Sequence, residues 1–271
     1  VNVYPQNEKV TVKKNRDMEF SGRIIAGLFD FVSHNCSFSY NKFNLTMNVI
    51  DSLIMYVEDK TKAKNMYGDY KLVKVRSTIE DLSGILYIDL PENKSGRVDI
   101  KEYPKFESRK GGKVYYDSYA ILKGAYTRDR FYYLVDKFTI TNLDNFATDS
   151  IEYNGKLVSG GIFPDIAKSL KVRPDFSLGF VAKTPSSGFP AYNEANYKGE
   201  IDLSNKGLRG KGELAYLTSV TTSDSLVFYL DSVNGKANNY IVHEQAVGTE
   251  YPPASVKDAY LHWLPYQQEM F

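Results

Sequence analysis

The sequence contains very little cysteine and no long apolar run. Cys36 is the only cysteine among 271 residues, so an intrachain disulfide is excluded. No apolar segment approaches the roughly 20 residues that a membrane-spanning helix needs, and no secretory signal is recognisable. The chain opens on Val1 and closes on Phe271 without a natural boundary at either end, and we expect a mature form or an excised segment.

The sequence also lacks an excess of either charge. Lys and Arg number 34, Asp and Glu number 33, and the net charge is +1. The two signs are interspersed, with no block of five like charges. A near-neutral chain argues against a strong electrostatic partner such as duplex nucleic acid or an anionic membrane surface. We therefore expect no nucleic-acid partner and no membrane span.

Helix signals are equally scarce. The best candidate is 164–170, because Pro164 stands at a plausible first-turn position. The stretch 256–263 fits either a short helix or an edge strand, and Pro265 ends both. Strands without intervening helices exclude a doubly wound α/β fold.

The residues that are abundant favour strands. The chain has 22 Tyr and 15 Phe, whose broad side chains pack well on a pleated surface. Apolar and polar residues alternate in many places, and the clearest apolar series is Phe43, Leu45, Met47 and Val49. This alternation predicts a half-buried strand with Asn44 on its polar outer face, and residues 41–42 predict the turn of a hairpin.

A short phrase of the form apolar-x-Gly-x-apolar returns along the chain. Its glycines are Gly22, Gly84, Gly124, Gly155, Gly199 and the pair Gly210 and Gly212. A second phrase, Asp-Ser-apolar, begins at Asp51, Asp117, Asp149, Asp224 and Asp231. The irregular spacing disfavours a tight solenoid and suits long meandering antiparallel strands. Glycine inside such runs indicates a bulge or a close backbone approach. Gly210 and Gly212, two positions without side chains on one face of a strand, predict a shallow slot that another strand's backbone or a large aromatic such as Phe228 or Tyr216 fills.

These patterns predict an all-β fold with elongated, mostly antiparallel sheets and at most one or two short helices. We expect residues 1–271 to form one elongated β module. The irregular stretch at 183–196 is the candidate meeting point of two sub-units.

Two segments have a superficial likeness to chemical motifs. Residues 207–212 are rich in glycine, but a phosphate-binding loop needs a following helix, and a strand follows here; a hairpin or bulge is predicted instead. His34 and Cys36 are spaced to share one face of a strand, which would permit contact between them. A thiol nucleophile also needs a base oriented by a third group, and a lone Cys in an aromatic strand is typically a buried small hydrophobe.

No metal or catalytic set can be assigned from spacing. His243 lacks the second His of a zinc helix, and His262 is isolated. Paired carboxylates for glycoside hydrolysis meet in space and not in sequence, so that chemistry stays open. We name no catalytic, cofactor-binding or metal-binding residue. The question of enzymatic activity stays open, and the sequence favours none.

Aromatic pairs and glycan acceptor patterns are the remaining features. The tyrosines at 115–116 and 132–133 would point alternately to opposite faces of a strand, so at most one of each pair joins a stacking platform for sugars or bases. Glycan acceptor patterns begin at Asn35, Asn44 and Asn93. Matches to so short a pattern are expected by chance.

Several phrases together resemble a known group of proteins. They lie at 102–106, 114–117, 161–164, 174–180, 203–212 and 263–266. The set resembles the repeat region of very large β-rich envelope or surface proteins of Bacteroidetes-type bacteria, from about Gly22 to Tyr266. The glycine-containing strand phrases are also similar, more distantly, to the β-sheet segments of AsmA/TamB-type envelope proteins. Both resemblances imply an extracytoplasmic, multi-repeat protein of the periplasm or cell surface, with flanking repeats or other envelope proteins as partners. Neither supplies catalytic residues.

The sequence therefore predicts a non-enzymatic structural or binding module of a larger extracytoplasmic protein. One alternative is a lipid-handling β-trough, in which an open apolar face lines a groove. Another is a glycan-binding or carbohydrate-active β protein that uses Tyr stacking and carboxylates. A closed core favours the scaffold, a continuous apolar trough favours lipid, and a cleft with aromatic side chains facing two carboxylates favours glycan chemistry.

Overall fold

The computed structural model describes residues 1–146, 151–244 and 253–271, and its regular structure is almost entirely strand. The strands are β1 (Asn2–Pro5), β2 (Thr11–Val12), β3 (Met18–Ala26), β4 (Phe29–Ser39), β5 (Asn44–Glu58), β6 (Leu72–Lys74), β7 (Leu82–Tyr87), β8 (Lys105–Lys110), β9 (Lys113–Tyr115), β10 (Phe131–Val135), β11 (Thr139–Ile140), β12 (Gly155–Ser159), β13 (Ile166–Ala167), β14 (Lys171–Val172), β15 (Leu178–Lys183), β16 (Phe189–Ala191), β17 (Ala195–Ser204), β18 (Gly207–Tyr216), β19 (Ser219–Phe228), β20 (Val233–Val242), β21 (Ala254–Leu264) and β22 (Glu269–Met270). Single 3₁₀ turns cover Gln6–Glu8, Pro91–Asn93 and Pro265–Gln267.

The prediction of an all-β, mostly antiparallel fold is confirmed. Neighbouring strands of the large sheets pair antiparallel, as in β3–β4 and β18–β19. Within the described ranges no α-helix occurs, and no helix is long and apolar enough to cross a membrane. Asp149 and Ser150, which begin one of the Asp-Ser-apolar phrases, lie outside the described residues.

The chain divides into two compact units. The first contains Val1–Val114, Leu134–Gly155 and Leu170–Leu178, and the second contains Tyr115–Tyr133, Lys156–Ser169 and Gly179–Phe271. The stretch 183–196 lies inside the second unit, where it forms the end of β15, all of β16 and the start of β17. The single elongated module and its meeting point at 183–196 stay predictions.

A nine-stranded sheet organises the first unit. Its order is β1-β3-β4-β5-β7-β8-β11, with β2 paired to β3 and β6 paired to β5. The alternation of apolar and polar residues places one set of side chains in the interior, where they are at most 2 % exposed. Members of this core are Ile24, Phe31, Leu45, Met47, Leu53, Met55, Leu86 and Phe106.

A long meander organises the second unit. Its strands follow the order β15-β17-β18-β19-β20-β21-β22, and β16 also pairs with β17. The interior is rich in aromatic side chains that contact one another edge to face, which is a favourable arrangement of ring quadrupoles. The fully buried rings and aliphatic groups include Tyr126, Phe131, Tyr197, Leu208, Leu226, Phe228 and Trp263.

The helix predicted at 164–170 is wrong. Ile166 and Ala167 form β13 and pair with Leu157 and Lys156 of β12. A helix of two turns gains little because nucleation is costly, whereas an adjacent strand edge offers backbone partners at once. The alternative predicted for 256–263 resolves to a strand, since β21 runs to Leu264 before Pro265.

The predicted hairpin at residues 41–42 is confirmed, because Ser39 of β4 pairs with Asn44 of β5. Two side-chain orientations in this strand are nevertheless wrong. Asn44 is only 7 % exposed, because it sits between Ser39 and Tyr87 of the two neighbouring strands. Val49 is 44 % exposed. The pairing of β5 with β7 shifts register between Met47 and Ile50, so the simple alternation ends before Val49.

The register shift in β5 can be tested with variants at Leu45 and Val49, two positions that the alternation predicts to share one face. Leu45→Asp places a charge in the core and should lower the free energy of unfolding by at least about 3 kcal/mol. Val49→Asp lies at the surface beyond the shift and should cost less than about 1 kcal/mol, mainly through lost strand propensity. Chemical denaturation of both variants measures this, and equal losses would contradict the irregular register.

Candidate functional site

The two units contain the same β-bulge. In the first unit Phe20 pairs with Cys36 and Gly22 pairs with Ser33, so the register shifts between them. In the second unit Gly210 pairs with Leu226 and Gly212 pairs with Ser223, again with a shift. In each case one residue of the first strand faces two of the second. Gly212 and Ser223 follow Gly22 and Ser33 at the same interval of 190 positions along the chain.

Each bulge holds a glycine against the backbone of the preceding strand. A Cβ at Gly22 would lie 2.3 Å from the carbonyl oxygen of Tyr4, and one at Gly212 would lie 2.1 Å from that of Lys198. Real Cβ atoms do not approach backbone atoms so closely. Gly199 pairs directly with Gly212, so two glycines face each other at the second bulge. The recurring glycine phrase therefore marks close backbone approach at these sites, as the sequence predicts.

A buried serine lies opposite each bulge glycine. Ser33 is 0 % exposed and donates a hydrogen bond of 2.7 Å to the carbonyl oxygen of Val49. Ser223 is 3 % exposed and donates a bond of 2.7 Å to the carbonyl oxygen of Lys236. Each hydroxyl therefore ties its strand to the next strand of the sheet at the point where the regular ladder is interrupted.

The residue after each serine makes a polar contact with the next strand. The His34 Nε2 atom lies 2.8 Å from Oδ2 of Asp51. The Asn238 side chain donates a hydrogen bond of 2.8 Å to Oδ2 of Asp224, which also pairs with Lys211 at 3.1 Å. These contacts lower the pKa of Asp224, first through the hydrogen bond from Asn238 and then through Lys211.

A solvent-exposed groove lies beside each bulge, and the two grooves differ in lining. The groove in the first unit has a volume of about 480 Å³ and is lined mainly by amides and hydroxyls: Gln6, Asn7, Thr11, Ser21, Asn35 and Asn48. The groove in the second unit has a volume of about 540 Å³ and is lined mainly by charged and polar groups: Lys198, Lys211, Glu213, Thr222, Asp224 and Asn238.

The prediction that His34 and Cys36 share one face of the strand is wrong. His34 is exposed and Cys36 is 1 % exposed, because the bulge inserts a residue and turns the two side chains to opposite faces. The thiol lies 3.3 Å from the hydroxyl of Ser33. Burial raises the pKa of Cys36, while the Ser33 contact lowers it to a smaller extent. A neutral, buried thiol behaves as a small hydrophobe.

The glycine-rich segment 207–212 forms the first part of β18. The chain continues as strand to Tyr216, so no helix amides converge on an anion there. The slot predicted at Gly210 is present: a Cβ would lie 2.5 Å from the hydroxyl oxygen of Tyr197 and 2.6 Å from the Phe228 ring. Phe228 fills it as predicted, together with Tyr197 and not Tyr216. The prediction that Gly212 shares this slot is wrong, because the register shifts between Gly210 and Gly212, and a Cβ at Gly212 would lie 2.1 Å from the carbonyl oxygen of Lys198.

The tyrosine pairs separate by face as expected. Tyr116 and Tyr133 are 0 % exposed. Tyr115 and Tyr132 lie on the outer face with ring centroids 6.3 Å apart. The guanidinium of Arg128 lies 3.7 Å from the Tyr115 ring centroid, in cation–π geometry, and also pairs with Asp117 at 3.2 Å. This arrangement is a small aromatic platform with one ring already covered.

The remaining candidate side chains are scattered or buried. Asn44 and Asn93 are 7 % and 8 % exposed, which withdraws both glycan acceptors from the surface. Asn93 donates hydrogen bonds to Asp89 and to the carbonyl oxygen of Val98. Through residues 1–146, 151–244 and 253–271, no group of three His, Cys, Asp or Glu side chains could hold a metal ion.

Sequence reasoning missed two features that the fold brings together. The first is the short insertion at Gln6–Glu8, which lines the first groove and has no periodicity to signal it. The second is a loop at 59–71 that carries two very exposed apolar side chains. An apolar pair inside a lysine-rich segment without periodicity could have indicated that loop.

The Gly210 slot yields a testable contrast along one strand. Gly210→Val overpacks the space beneath Tyr197 and Phe228 and should lower stability by about 1–3 kcal/mol. Arg209→Ala removes an exposed side chain whose Nε donates to the carbonyl oxygen of Lys206, and should cost under about 0.5 kcal/mol. Thermal melts distinguish the two. A nucleotide-dependent rise in melting temperature that Lys211→Ala removes would instead restore a phosphate site.

Comparison with known proteins provides no relative for this geometry. No family model matches the chain, no curated protein matches it, and no solved structure matches it.

Proposed function

We propose that this chain is a non-enzymatic structural and binding module of a larger extracytoplasmic protein, and that its two units are copies of one bulged-sheet repeat. The observation that carries the proposal is the matched bulge. Glycine against backbone, buried serine bonded to the next strand, and a polar cross-strand contact recur together at Gly22 and Gly212. The glycine, the serine and the residue after the serine recur at one interval of 190 positions, which duplication explains more economically than chance.

The burial of the apolar faces supports a scaffold and argues against a lipid-handling trough. The inward residues of β5, such as Leu45, Met47 and Leu53, are at most 2 % exposed. In the second unit Leu208, Leu226 and Phe228 are 0 % exposed. These faces are filled by side chains, whereas a trough that carries lipid needs apolar surface open to its cargo.

An open sheet edge supports flanking repeats as partners. Strand β1 in the first unit corresponds to β17 in the second, because each pairs with the strand that carries the bulge glycine. Pro5 of β1 pairs with Gly22, and Gly199 of β17 pairs with Gly212. The outer edge of β17 is covered by β15 and β16. Strand β1 ends its sheet, with Val3 and Tyr4 39 % and 54 % exposed. Such an edge can accept an additional strand from a neighbouring module.

The extracytoplasmic location follows from the resemblance to envelope proteins. Antibodies against this chain should detect, in cells that produce it, a protein much larger than the chain itself and associated with the envelope fraction. A repeat-containing parent explains both the size and the fractionation. A cytosolic protein of the mass of this chain alone would contradict the proposal.

Glycan binding is a second candidate, supported by the platform of Tyr115 and Tyr132. The half-buried ring of Tyr132 can stack on a sugar ring, and Arg128 can supply hydrogen bonds beside it. Screening of the chain against immobilised glycans should then give binding that Tyr132→Ala removes. Tyr119→Ala is the matched control, because Tyr119 is 77 % exposed but lies outside the platform. Equal binding by both variants would exclude the platform.

A further inference from the structure

The loop at 59–71, here called the basic loop, projects the most exposed apolar pair in the described part of the chain. Met66 is 89 % exposed and Tyr67 is 82 % exposed. They are adjacent at the tip of the loop that joins β5 to β6, whose ends pair through Glu58 and Leu72. Loop tips usually carry small or polar residues. An adjacent Met and Tyr in this position therefore requires an explanation.

The tip is held in a defined conformation. The backbone N–H of Asn65 donates to the carbonyl oxygen of Asp69 at 2.8 Å. The Asn65 side-chain oxygen accepts the N–H groups of Tyr67 and Asp69, both at 2.9 Å. At the base, the N–H of Asp59 donates to the carbonyl oxygen of Lys71 at 2.8 Å. These bonds fold the loop back on itself, so the apolar pair projects outward at the turn.

Exposed lysines flank the apolar tip along the loop. All four lysines of the basic loop are exposed: Lys60, Lys62, Lys64 and Lys71. The acidic residues of the loop are Asp59 and Asp69. The Asp59 carboxylate is 3 % exposed, accepts hydrogen bonds from Thr61 and lies 3.7 Å from Lys62. The outward-facing charge of the loop is therefore predominantly positive, although the whole chain is nearly neutral.

We propose that the basic loop docks this protein on the surface of an anionic lipid bilayer, with Met66 and Tyr67 inserted at the headgroup level. Tyrosine has an apolar ring and a polar tip, which suits the membrane interface, and Met is an adaptable apolar side chain. Lysines around such a tip are attracted to anionic headgroups. A projecting tip needs a partner that deforms around it, and a bilayer does so without a preformed pocket.

This docking surface is independent of the proposed scaffold function. It involves one exposed loop and neither the bulges nor the β1 edge. Membrane attachment by one apolar tip and a few lysines is weak for a single chain. In a parent protein with several modules, the same contact would be strengthened by multivalency.

Sedimentation of the chain with vesicles tests the proposal. We expect binding to vesicles of phosphatidylcholine and phosphatidylglycerol in equal parts, and little binding to phosphatidylcholine alone. Binding should fall at about 1 M salt, where the Debye length is about 3 Å. Failure to bind the anionic vesicles at low salt, or equal binding to both compositions, would overturn it.

Two variants separate the apolar and electrostatic contributions. Met66→Ser combined with Tyr67→Ser should reduce partitioning at least about ten-fold, because it removes the inserted surface. Lys62→Gln combined with Lys64→Gln should reduce it roughly 25-fold, at about five-fold for each lysine near the surface. Lys9→Gln combined with Lys14→Gln changes the net charge equally at exposed positions outside the loop and should leave binding unchanged. Equal losses in the control and loop variants would overturn the assignment to this loop.

Fluorescence distinguishes insertion from adhesion to any polyanion. Tyr67→Trp adds one exposed indole, while the native Trp263 is 0 % exposed and supplies a constant background. Anionic vesicles should shift the emission to the blue, and brominated acyl chains should quench it. Soluble polyglutamate should do neither. A blue shift with polyglutamate and none with vesicles would overturn the bilayer in favour of an acidic polypeptide.

Discussion

The close backbone approach at the bulge glycines is the constraint on which both sheets depend. Gly199 and Gly212 face each other across β17 and β18, and a Cβ at either would lie within 2.3 Å of a backbone carbonyl oxygen. The bulge that this approach permits changes which residues face the interior. In the first unit it separates His34 from Cys36, although strict alternation would place them on one face. The bulge that the glycine permits therefore determines which residues beyond it face the core.

Strand identity could be predicted from the sequence, whereas the register could not. Alternation correctly placed Leu45 and Met47 in the core, because those residues precede the irregularity in β5. It failed at Val49, since a period of two carries no information about where an extra residue interrupts pairing. It failed at Asn44 for a different reason. Burial there comes from Ser39 across the hairpin and from Tyr87 of β7, which is distant in sequence and invisible to a local pattern.

The candidate sites also combine features that local sequence predicts with features that arise only when the chain folds. Net charge correctly described the chain as nearly neutral, but an average conceals where the charges gather once the chain folds. The lysines of the basic loop alternate with small and polar residues, so they form no block of like charge. Their common exposure around Met66 and Tyr67 depends on the turn at Asn65 and on the pairing of β5 with β6. Opposite orientation within a tyrosine pair, by contrast, needs only strand geometry and was predictable.

The two bulges suggest how such a module varies its surface without losing its fold. The glycine and the buried serine are common to both units and lie beneath the surface or along the backbone, and an exposed cross-strand polar contact recurs beside them. The grooves beside them differ, because Gln6–Glu8 interrupts the first unit where β17 runs on without a break in the second. The first groove is therefore lined mainly by amides and hydroxyls, and the second mainly by charged and polar groups. The shared frame thus tolerates a different lining without a change in the bulge itself.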